Sequence, residues 1–345
     1  MPKRESCAYV THNWGVHDER WVAALEDAGF FVETFSLTRD RLTPAELRDA
    51  LDRGEGPVLA GPIESVTKEL IGLSRPIVGL SWGFDLIDVQ KTSGADLSWM
   101  RRLDGLIVDS HATRDIATRS GLAPDRVHQI PWGIDIDAFS PNGAHADARE
   151  WGVPPEANLI LSLRALEPTY RVVDIVDAFA LIAAEYPDTH LVIGNDGTLL
   201  RELTERAASH GLSHRTHFIG ILPESDLAPL LRGASVYVSA SEVDGTSVTL
   251  LQAMACGTPV VASDTPGNTQ WVVPGHTGTV FQTHSAESLA EALRRVLISP
   301  ADPHQLAAAR AAVVEHADWH RNSRELATIM RPAPRGQDER QPSSF

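Results

Sequence analysis

The sequence predicts two doubly wound α/β domains, each built on a mainly parallel sheet. Short apolar runs alternate with amphipathic stretches along the chain, and this alternation is typical of βαβ units. The chain has 345 residues, which is enough for two domains of ordinary size with separate cores. Because the apolar runs divide evenly between the two halves, two sheets are favoured over one very wide sheet.

Each apolar run of strand length is a candidate strand. In the first half these are Cys7–Val10, Phe30–Phe35, Val58–Gly61, Ile77–Leu80, Gly105–Asp109 and Arg126–Ile130. In the second half they are Leu159–Leu163, His190–Gly194, Thr216–Gly220, Val236–Ala240, Pro259–Ser263 and Thr279–Phe281. Helical periodicity is clearest over Val172–Glu185, Leu199–Ser209 and Ser285–Leu297.

The turn-rich segment Ser140–Asp147 separates a strand-like region from a helical one and indicates a domain boundary. We therefore expect an N-terminal domain over 1–141 and a C-terminal domain over 142–315. The segment 316–330 is expected to be a helix that could return to the first domain. The tail 331–345 has no face that could be buried, so we expect it to be disordered.

Composition limits the possible partners. Hydrophobic residues make up 43% of the chain and the formal net charge is −16, which is a globular profile that argues against nucleic acid as a partner. No apolar run approaches the length of a membrane span, so we expect no stable membrane insertion. Two cysteines and no signal-peptide core indicate a reducing cytoplasm. The histidines show no metal-ligand spacing, and the oligomeric state stays open.

The segment Ser239–Ser263 carries the clearest chemical signal. An apolar strand ends in it, the chain turns at Asp244-Gly245, and a helix begins at Thr246 or Ser247 and stops at Gly257. The first amides of a helix have no partner within the helix, and the helix dipole favours negative charge there. The turn is therefore a candidate site for an anionic or hydroxyl-rich ligand, although simple helix capping uses the same residue types.

Five segments match one family in order: Ile130–Pro141, Leu161–Pro168, His190–Gly197, His217–Gly220 and Ala234–Ser263. Through them the chain resembles the retaining glycosyltransferases of family 4, well over about residues 105–300 and more weakly over 1–100. The resemblance implies the GT-B architecture, in which two Rossmann-like domains face a central cleft. It also implies a nucleoside diphosphate sugar as the donor.

On the donor side, the resemblance places Arg164 at the position of an arginine that binds the diphosphate. A lysine of the family has no clean equivalent, because Tyr170 and Arg171 stand there. Arg171 could supply the missing charge or point to solvent, and Tyr170 could form a hydrogen bond instead.

The family's pair of glutamates corresponds to Asp244, expected at the donor sugar, and Gln252, expected at the ribose. Gly245, Thr246, Ser247 and Val248 would present the helix N-terminus to the donor. We expect Arg164 and Asp244 to carry the catalytic roles.

On the acceptor side, the resemblance points to Trp14 and Gly15 in the first strand-to-helix loop and to Ser81 and Asp85. Ser81 stands where many relatives have a histidine. Trp14 could be a platform for a sugar ring or an aromatic at a domain interface. Asp85 could orient an acceptor hydroxyl or cap a helix.

The resemblance thus implies a retaining transfer of a sugar to a hydroxyl or amine of a small soluble acceptor. Arg164 and the helix N-terminus would stabilise the leaving diphosphate, so neither a metal nor another cofactor is expected. Two alternatives remain open. One is a sugar-nucleotide epimerase or non-glycosidic coupling enzyme on the same fold. The other is a binding or partner subunit with impaired catalysis, which the changes at Gln252 and at the lysine position motivate.

Overall fold

The computed structural model describes residues 5–91, 96–299 and 301–331. These residues form two compact units. One unit takes the chain as far as Pro131 together with the chain from His320 onward, and the other is Trp132–Trp319.

The first unit contains a six-stranded parallel sheet in the order β2-β1-β3-β4-β5-β6. Its strands are β1 (Glu5–Thr11), β2 (Phe30–Ser36), β3 (Val58–Ala60), β4 (Ile77–Leu80), β5 (Gly105–Val108) and β6 (Val127–Gln129). Its helices are α1 (Val16–Asp27), α2 (Pro44–Asp52), α3 (Phe84–Lys91) and α4 (His111–Arg119), with single turns of 3₁₀ helix at Thr67–Leu70, Ser98–Arg102 and Pro124–Arg126.

The second unit contains another six-stranded parallel sheet, in the order β12-β11-β10-β7-β8-β9. Its strands are β7 (Asn158–Ser162), β8 (Thr189–Gly194), β9 (Thr216–Gly220), β10 (Val236–Ser239), β11 (Val260–Ser263) and β12 (Thr279–Phe281). Its helices are α5 (Val172–Ile182), α6 (Leu200–Ser209), α7 (Glu224–Gly233), α8 (Val248–Ala255), α9 (Pro266–Thr269), α10 (Ala286–Leu297) and α11 (Pro303–His316), with 3₁₀ turns at Ala148–Trp151 and Pro168–Tyr170.

Alternation along β7 shows why this sheet is covered on both faces. Leu159 and Leu161 pack into one apolar cluster, while Ile160 between them packs into a second cluster. Successive side chains of a strand point to opposite faces, so a strand that is apolar at every position must be buried on both. The predicted doubly wound α/β class is confirmed in both units.

The chain passes from the first unit to the second earlier than the predicted boundary at 141. Ile134 and Phe139 lie in the apolar core of the second unit, each only 2% exposed. The backbone of Ile134 also pairs with the end of the same unit, because its N–H donates to Ala317 O at 2.8 Å and its carbonyl accepts from Trp319 N at 3.0 Å. Residues 132–141 therefore belong with the second unit and not with the first.

The segment predicted as a returning helix over 316–330 begins within α11 and continues as shorter pieces. These are α12 (Trp319–Asn322), a 3₁₀ turn at Ser323–Glu325 and α13 (Leu326–Ile329). Beyond them Arg331 forms an ion pair with Glu5 at 2.6 Å and lies over the ring of Phe30 at 4.6 Å. The chain from His320 therefore packs on the first unit. The remainder of the predicted disordered tail, from 332 on, lies outside the described residues.

Candidate functional site

The strand order of the second unit reverses between β7 and β10. Strands β8 and β9 extend the sheet on one side of this point, and β11 and β12 extend it on the other. In doubly wound sheets the connections leave opposite faces at such a point, so a crevice opens beyond the carboxyl ends of the two strands. The loop that carries Arg164 follows β7, and the turn at Asp244 follows β10. The fold therefore brings these two predicted residues together.

Arg164 is the centre of this site. Its Nη2 donates to Asp244 Oδ2 at 2.7 Å, and its Nη1 donates to Ser247 Oγ at 2.8 Å. The ring of Tyr170 stacks against the guanidinium, with Cζ 4.3 Å from the ring centroid. The side chains of Arg164 and Asp244 are only 11% and 12% exposed. Four of the predicted donor-side residues thus form one connected group.

The Asp244 carboxylate is largely removed from water. Burial raises the pKa of this carboxyl above its ordinary value, and the Arg164 guanidinium opposes that rise. Ser247 begins α8 as its N-cap, with Oγ accepting from Leu250 N. Since Ser247 Oγ also accepts from Arg164, the arginine is fixed directly to the start of the helix. Gly245, Thr246 and Val248 lie in the same turn and first helical position.

Gln252 lies further along α8 and is 5% exposed. Its Oε1 is buried and has no hydrogen-bond partner among the described residues. A buried amide oxygen without a partner is uncommon in a native fold. The ribose contact of Gln252 stays a prediction.

Arg171 does not join this group. Its Nε and Nη2 donate to the two carboxylate oxygens of Asp174 at 3.0 and 2.8 Å. The residue also has a left-handed backbone conformation, with φ of 49°. The possibility that Arg171 supplies the missing positive charge at the site is therefore not realised in this structure, because its guanidinium is held on its own helix.

The acceptor-side residues lie in the first unit, and the structure uses two of them internally. Asp85 Oδ1 accepts from Ser81 Oγ, Trp82 N and Leu86 N at 2.7, 3.0 and 2.8 Å. Its Oδ2 accepts from Ile63 N at 2.8 Å. Ser81 and Asp85 are 1% and 8% exposed. This geometry fits a carboxylate that fixes the loops after β3 and β4 more closely than one that orients an acceptor hydroxyl.

Trp14 and Gly15 lie at the carboxyl end of β1. Arg39 lies over the Trp14 ring, with Cζ 4.3 Å from the centroid, and Tyr9 meets the ring at 89°. Gly15 N donates to Asp18 Oδ2 at 2.7 Å, while Asp18 Oδ1 accepts from Tyr9 OH at 2.8 Å. Arg39 thus covers part of the Trp14 surface that was predicted to be a sugar platform.

A second row of residues supports the turn, and the sequence analysis did not single them out. Gln270 Nε2 donates to Gly245 O at 3.0 Å and to Thr246 Oγ1 at 3.2 Å. Gly267 approaches so closely that a Cβ there would lie 2.0 Å from Asp244 O. The dipeptide Pro266-Gly267 after an apolar strand was the available signal, since a glycine at such a place often marks close backbone approach.

The described part of the chain holds neither a metal-ligand cluster nor a membrane-spanning helix. Within 5–91, 96–299 and 301–331, no three His, Cys, Asp or Glu side chains come together as a possible metal-ligand set. Among the same residues, no helix combines the length and the apolar character that crossing a bilayer requires.

Comparison with known proteins finds sequence relatives and similar folds. Residues 145–312 match the family model described as glycosyl transferases group 1, and this range lies within the second unit. The glycogen synthase of Mycobacterium tuberculosis is 32% identical over 250 residues, which cover 71% of this chain and 58% of that protein. The chain therefore spans less than two thirds of the length of this relative.

Two solved structures resemble the fold over nearly the whole chain. Sucrose-phosphate synthase from Thermosynechococcus elongatus has a TM-score of 0.79 at 18% identity, with 95% of this chain and 98% of that chain covered. HepE of Anabaena, solved in complex with UDP and glucose, has a TM-score of 0.76 at 15% identity, with 95% and 99% covered. The GT-B fold that the resemblance implied is confirmed, and the sequence match to group 1 glycosyltransferases falls on the unit that carries Arg164.

Proposed function

We propose that the protein transfers a sugar from a nucleoside diphosphate sugar to a hydroxyl or amine of a small acceptor, with retention at the anomeric carbon. The observation that carries this proposal is the group formed by Arg164, Asp244, Ser247 and Tyr170 at the switch point of the second sheet. The match of the same unit to group 1 glycosyltransferases supports it. UDP is the first nucleotide to test, because HepE was solved with it.

The chemistry follows from charge. The bond between the anomeric carbon and the diphosphate breaks with negative charge developing on the leaving phosphate oxygen. Arg164 offers a planar fork of donors to that oxygen, and the start of α8 adds its dipole. Such donors are already oriented before the reaction and so favour the charged transition state. Asp244 would hold the sugar, and Gln252 would hold the ribose.

Retention would follow from attack on the same face. In the proposed mechanism the departing phosphate oxygen takes the proton of the acceptor hydroxyl as that hydroxyl attacks the anomeric carbon. The proton therefore moves to the diphosphate, and no protein nucleophile is needed. Metal-independent transfer and a soluble acceptor remain part of this proposal.

The test compares Arg164→Ala with Arg171→Asn, which keeps a residue that tolerates the left-handed backbone of position 171. We expect Arg164→Ala to weaken UDP binding about 10- to 100-fold, the value of hydrogen bonds to a charged group. Arg171→Asn should change it less than about threefold, because its guanidinium is already engaged by Asp174. Isothermal titration gives both values, and the melting temperature confirms that each variant is folded.

Turnover assays distinguish glycosyl transfer from the two alternative functions. Release of UDP from a UDP-sugar together with a glycosylated product would show transfer. NMR comparison of the anomeric configuration (α or β) in the product and in the donor establishes the stereochemistry. Conversion of the donor without any acceptor would favour an epimerase. Nucleotide binding without turnover, across a panel of sugar and polyol acceptors, would favour a binding subunit. Equal UDP affinity in Arg164→Ala and the wild type would contradict the placement of the diphosphate.

A further inference from the structure

The donor-side turn rests on a short segment that follows β11. This segment runs from Ser263 to Gln270 and contains the single helical turn α9. Asn268 is fully buried, and its Nδ2 donates to Ser263 Oγ at 2.9 Å. Ser263 Oγ in turn donates to Ser241 O at 2.6 Å. The segment is therefore tied both to the end of its own strand and to the chain that leads into the turn.

Two features of this segment touch the turn directly. A Cβ at Gly267 would lie 2.0 Å from Asp244 O and 2.6 Å from Gly245 O, so the two backbones are in close contact. Beside this contact, Gln270 Nε2 is within 3.0 Å of Gly245 O, 3.2 Å of Thr246 Oγ1 and 3.3 Å of Gly267 O. One amide group thus bridges the segment and the turn.

We propose that Gln270 is a positioning residue for the donor sugar, a role that rests on the proposed function and deepens it. It acts through Gly245 and Thr246, which follow Asp244 and precede the start of α8. Its amide fixes these residues so that the Asp244 carboxylate and the first helical amides keep one geometry. In the proposed site the diphosphate is held by Arg164 from another loop as well as by the start of α8, whereas the sugar depends on Asp244 of the turn itself. The geometry set by Gln270 therefore matters more for the sugar than for the nucleotide.

The amide character of Gln270 is essential to this role. Two of its three partners are backbone carbonyl oxygens, which only accept hydrogen bonds. An ionised glutamate has the same shape but no hydrogen to donate, so it would place an acceptor against two acceptors. Leucine has a similar volume and neither donates nor carries charge. The two substitutions therefore separate the loss of the hydrogen bonds from added repulsion.

The experiment compares Gln270→Leu and Gln270→Glu with Gln305→Leu as the control. Gln305 also points its amide at a backbone carbonyl, Gly278 O, at 3.5 Å, away from the turn. We expect Gln270→Leu to lower kcat/KM for the UDP-sugar about 3- to 10-fold, in line with the loss of neutral hydrogen bonds. Gln270→Glu should lower it further. The dissociation constant for UDP should change less than about twofold in all three variants.

Hydrogen exchange of the donor-free protein provides a readout that does not depend on activity. Gln270→Leu should speed exchange in the peptide that contains residues 244–247 and leave the peptides of β7 unchanged. Unchanged exchange at 244–247 would overturn the proposal, and so would faster exchange with unchanged kcat/KM. Equal losses in UDP and UDP-sugar affinity would also overturn it, because they indicate a general structural role.

Failure of the proposed function can be distinguished from failure of this inference. A wild-type protein that binds UDP and UDP-sugars without turnover would contradict glycosyl transfer. In that case the ratio of UDP-sugar affinity to UDP affinity reports on Gln270 in place of kcat/KM, and an unchanged ratio in Gln270→Leu would overturn its positioning role.

Discussion

The Asp244 carboxylate competes with the proposed diphosphate for Arg164. The Asp244 carboxylate lies 2.7 Å from Arg164 Nη2 and neutralises the guanidinium. The Nε of Arg164 is buried and has no hydrogen-bond partner among the described residues. An incoming diphosphate must therefore share or replace the contact with Asp244. The aspartate would therefore disfavour binding of a bare nucleotide, although it is the residue proposed to hold the sugar.

The substitution Asp244→Asn tests this competition. Removing the carboxylate charge beside the diphosphate site should tighten UDP binding about 3- to 10-fold, because the repulsion between two anions in a poorly hydrated site is lost. The same change should slow sugar transfer at least about tenfold, because the contact with the sugar is weakened. Titration with UDP and initial rates with the UDP-sugar measure the two effects.

The control for Asp244→Asn is Glu242→Gln. Glu242 lies on the same stretch of chain but pairs with His284 at 3.3 Å, so its loss should change UDP affinity less than about twofold. Weaker UDP binding in Asp244→Asn would show that the carboxylate helps to hold the nucleotide, and the competition would be wrong.

Much of this residue group was predicted from the sequence, and the predictions that failed did so for physical reasons. Arg164 and Asp244 were predicted to share one site, and the strand order brings them together. The pairing of Arg171 with Asp174 was missed, although opposite charges three residues apart at a helix start are a known stabilising pattern. Gln270 was missed because two of the atoms that its amide contacts are backbone carbonyl oxygens, which leave no trace in side-chain spacing.

At the scale of single elements, the strands followed from the sequence because most of them contain a short apolar run. β4, β9 and β12 have the predicted bounds, and the other strands among the described residues differ by one or two residues at an end. The short element α9 was not predicted, because four residues are too few to show a helical period. The apolar pattern also could not say which core would bury Ile134 and Phe139.

The loop between β4 and α3 depends on one carboxylate. Asp85 accepts four hydrogen bonds, three of them from backbone N–H groups. Burial raises the pKa of Asp85, and these hydrogen bonds oppose the rise. One of the four donors, Ile63, lies beyond β3, so the carboxylate ties together the loops that follow two adjacent strands. Its main role is therefore expected to be structural.

The substitution Asp85→Ala should lower the free energy of unfolding of the first unit by about 3 kcal/mol, because it leaves three buried donors and one partly buried donor without this acceptor. UDP affinity should stay within about twofold of the wild type, since these contacts all lie in the first unit. Urea denaturation and UDP titration measure the two quantities. Asp49→Ala, at an exposed position of α2, is the control. Unchanged stability with lost sugar transfer would instead restore the acceptor role of Asp85.

At the scale of the whole molecule, the proposed donor residues all belong to one unit. Arg164, Asp244 and Gln252 lie between Trp132 and Trp319, and the acceptor-side residues lie in the first unit. The family-model match is confined to the second unit as well. Nucleotide binding should therefore slow backbone hydrogen exchange mainly in the second unit.

Hydrogen exchange with and without saturating UDP locates the residues that the nucleotide protects. We expect slower exchange in peptides covering 163–171 and 241–252, because a ligand that binds only the native state suppresses local opening. Peptides at the amino ends of the same strands, such as 153–158, are an internal control and should not change. Protection at the amino ends without protection at 241–252 would place the nucleotide at the opposite edge of the sheet and contradict the site.

The path of the chain between the two units also bears on how the protein is made. The first unit is completed by residues that follow the whole of the second, since α13 packs on α1 and Arg331 pairs with Glu5. The chain passes between the units near residues 131 and 319, and the β-bridge between Ile134 and Asp318 joins these two passages. On the ribosome, the first unit therefore starts synthesis first but finishes folding last. A nascent chain that stops near residue 319 would hold a complete second unit and an unfinished first unit, which makes this stage the one most exposed to misfolding.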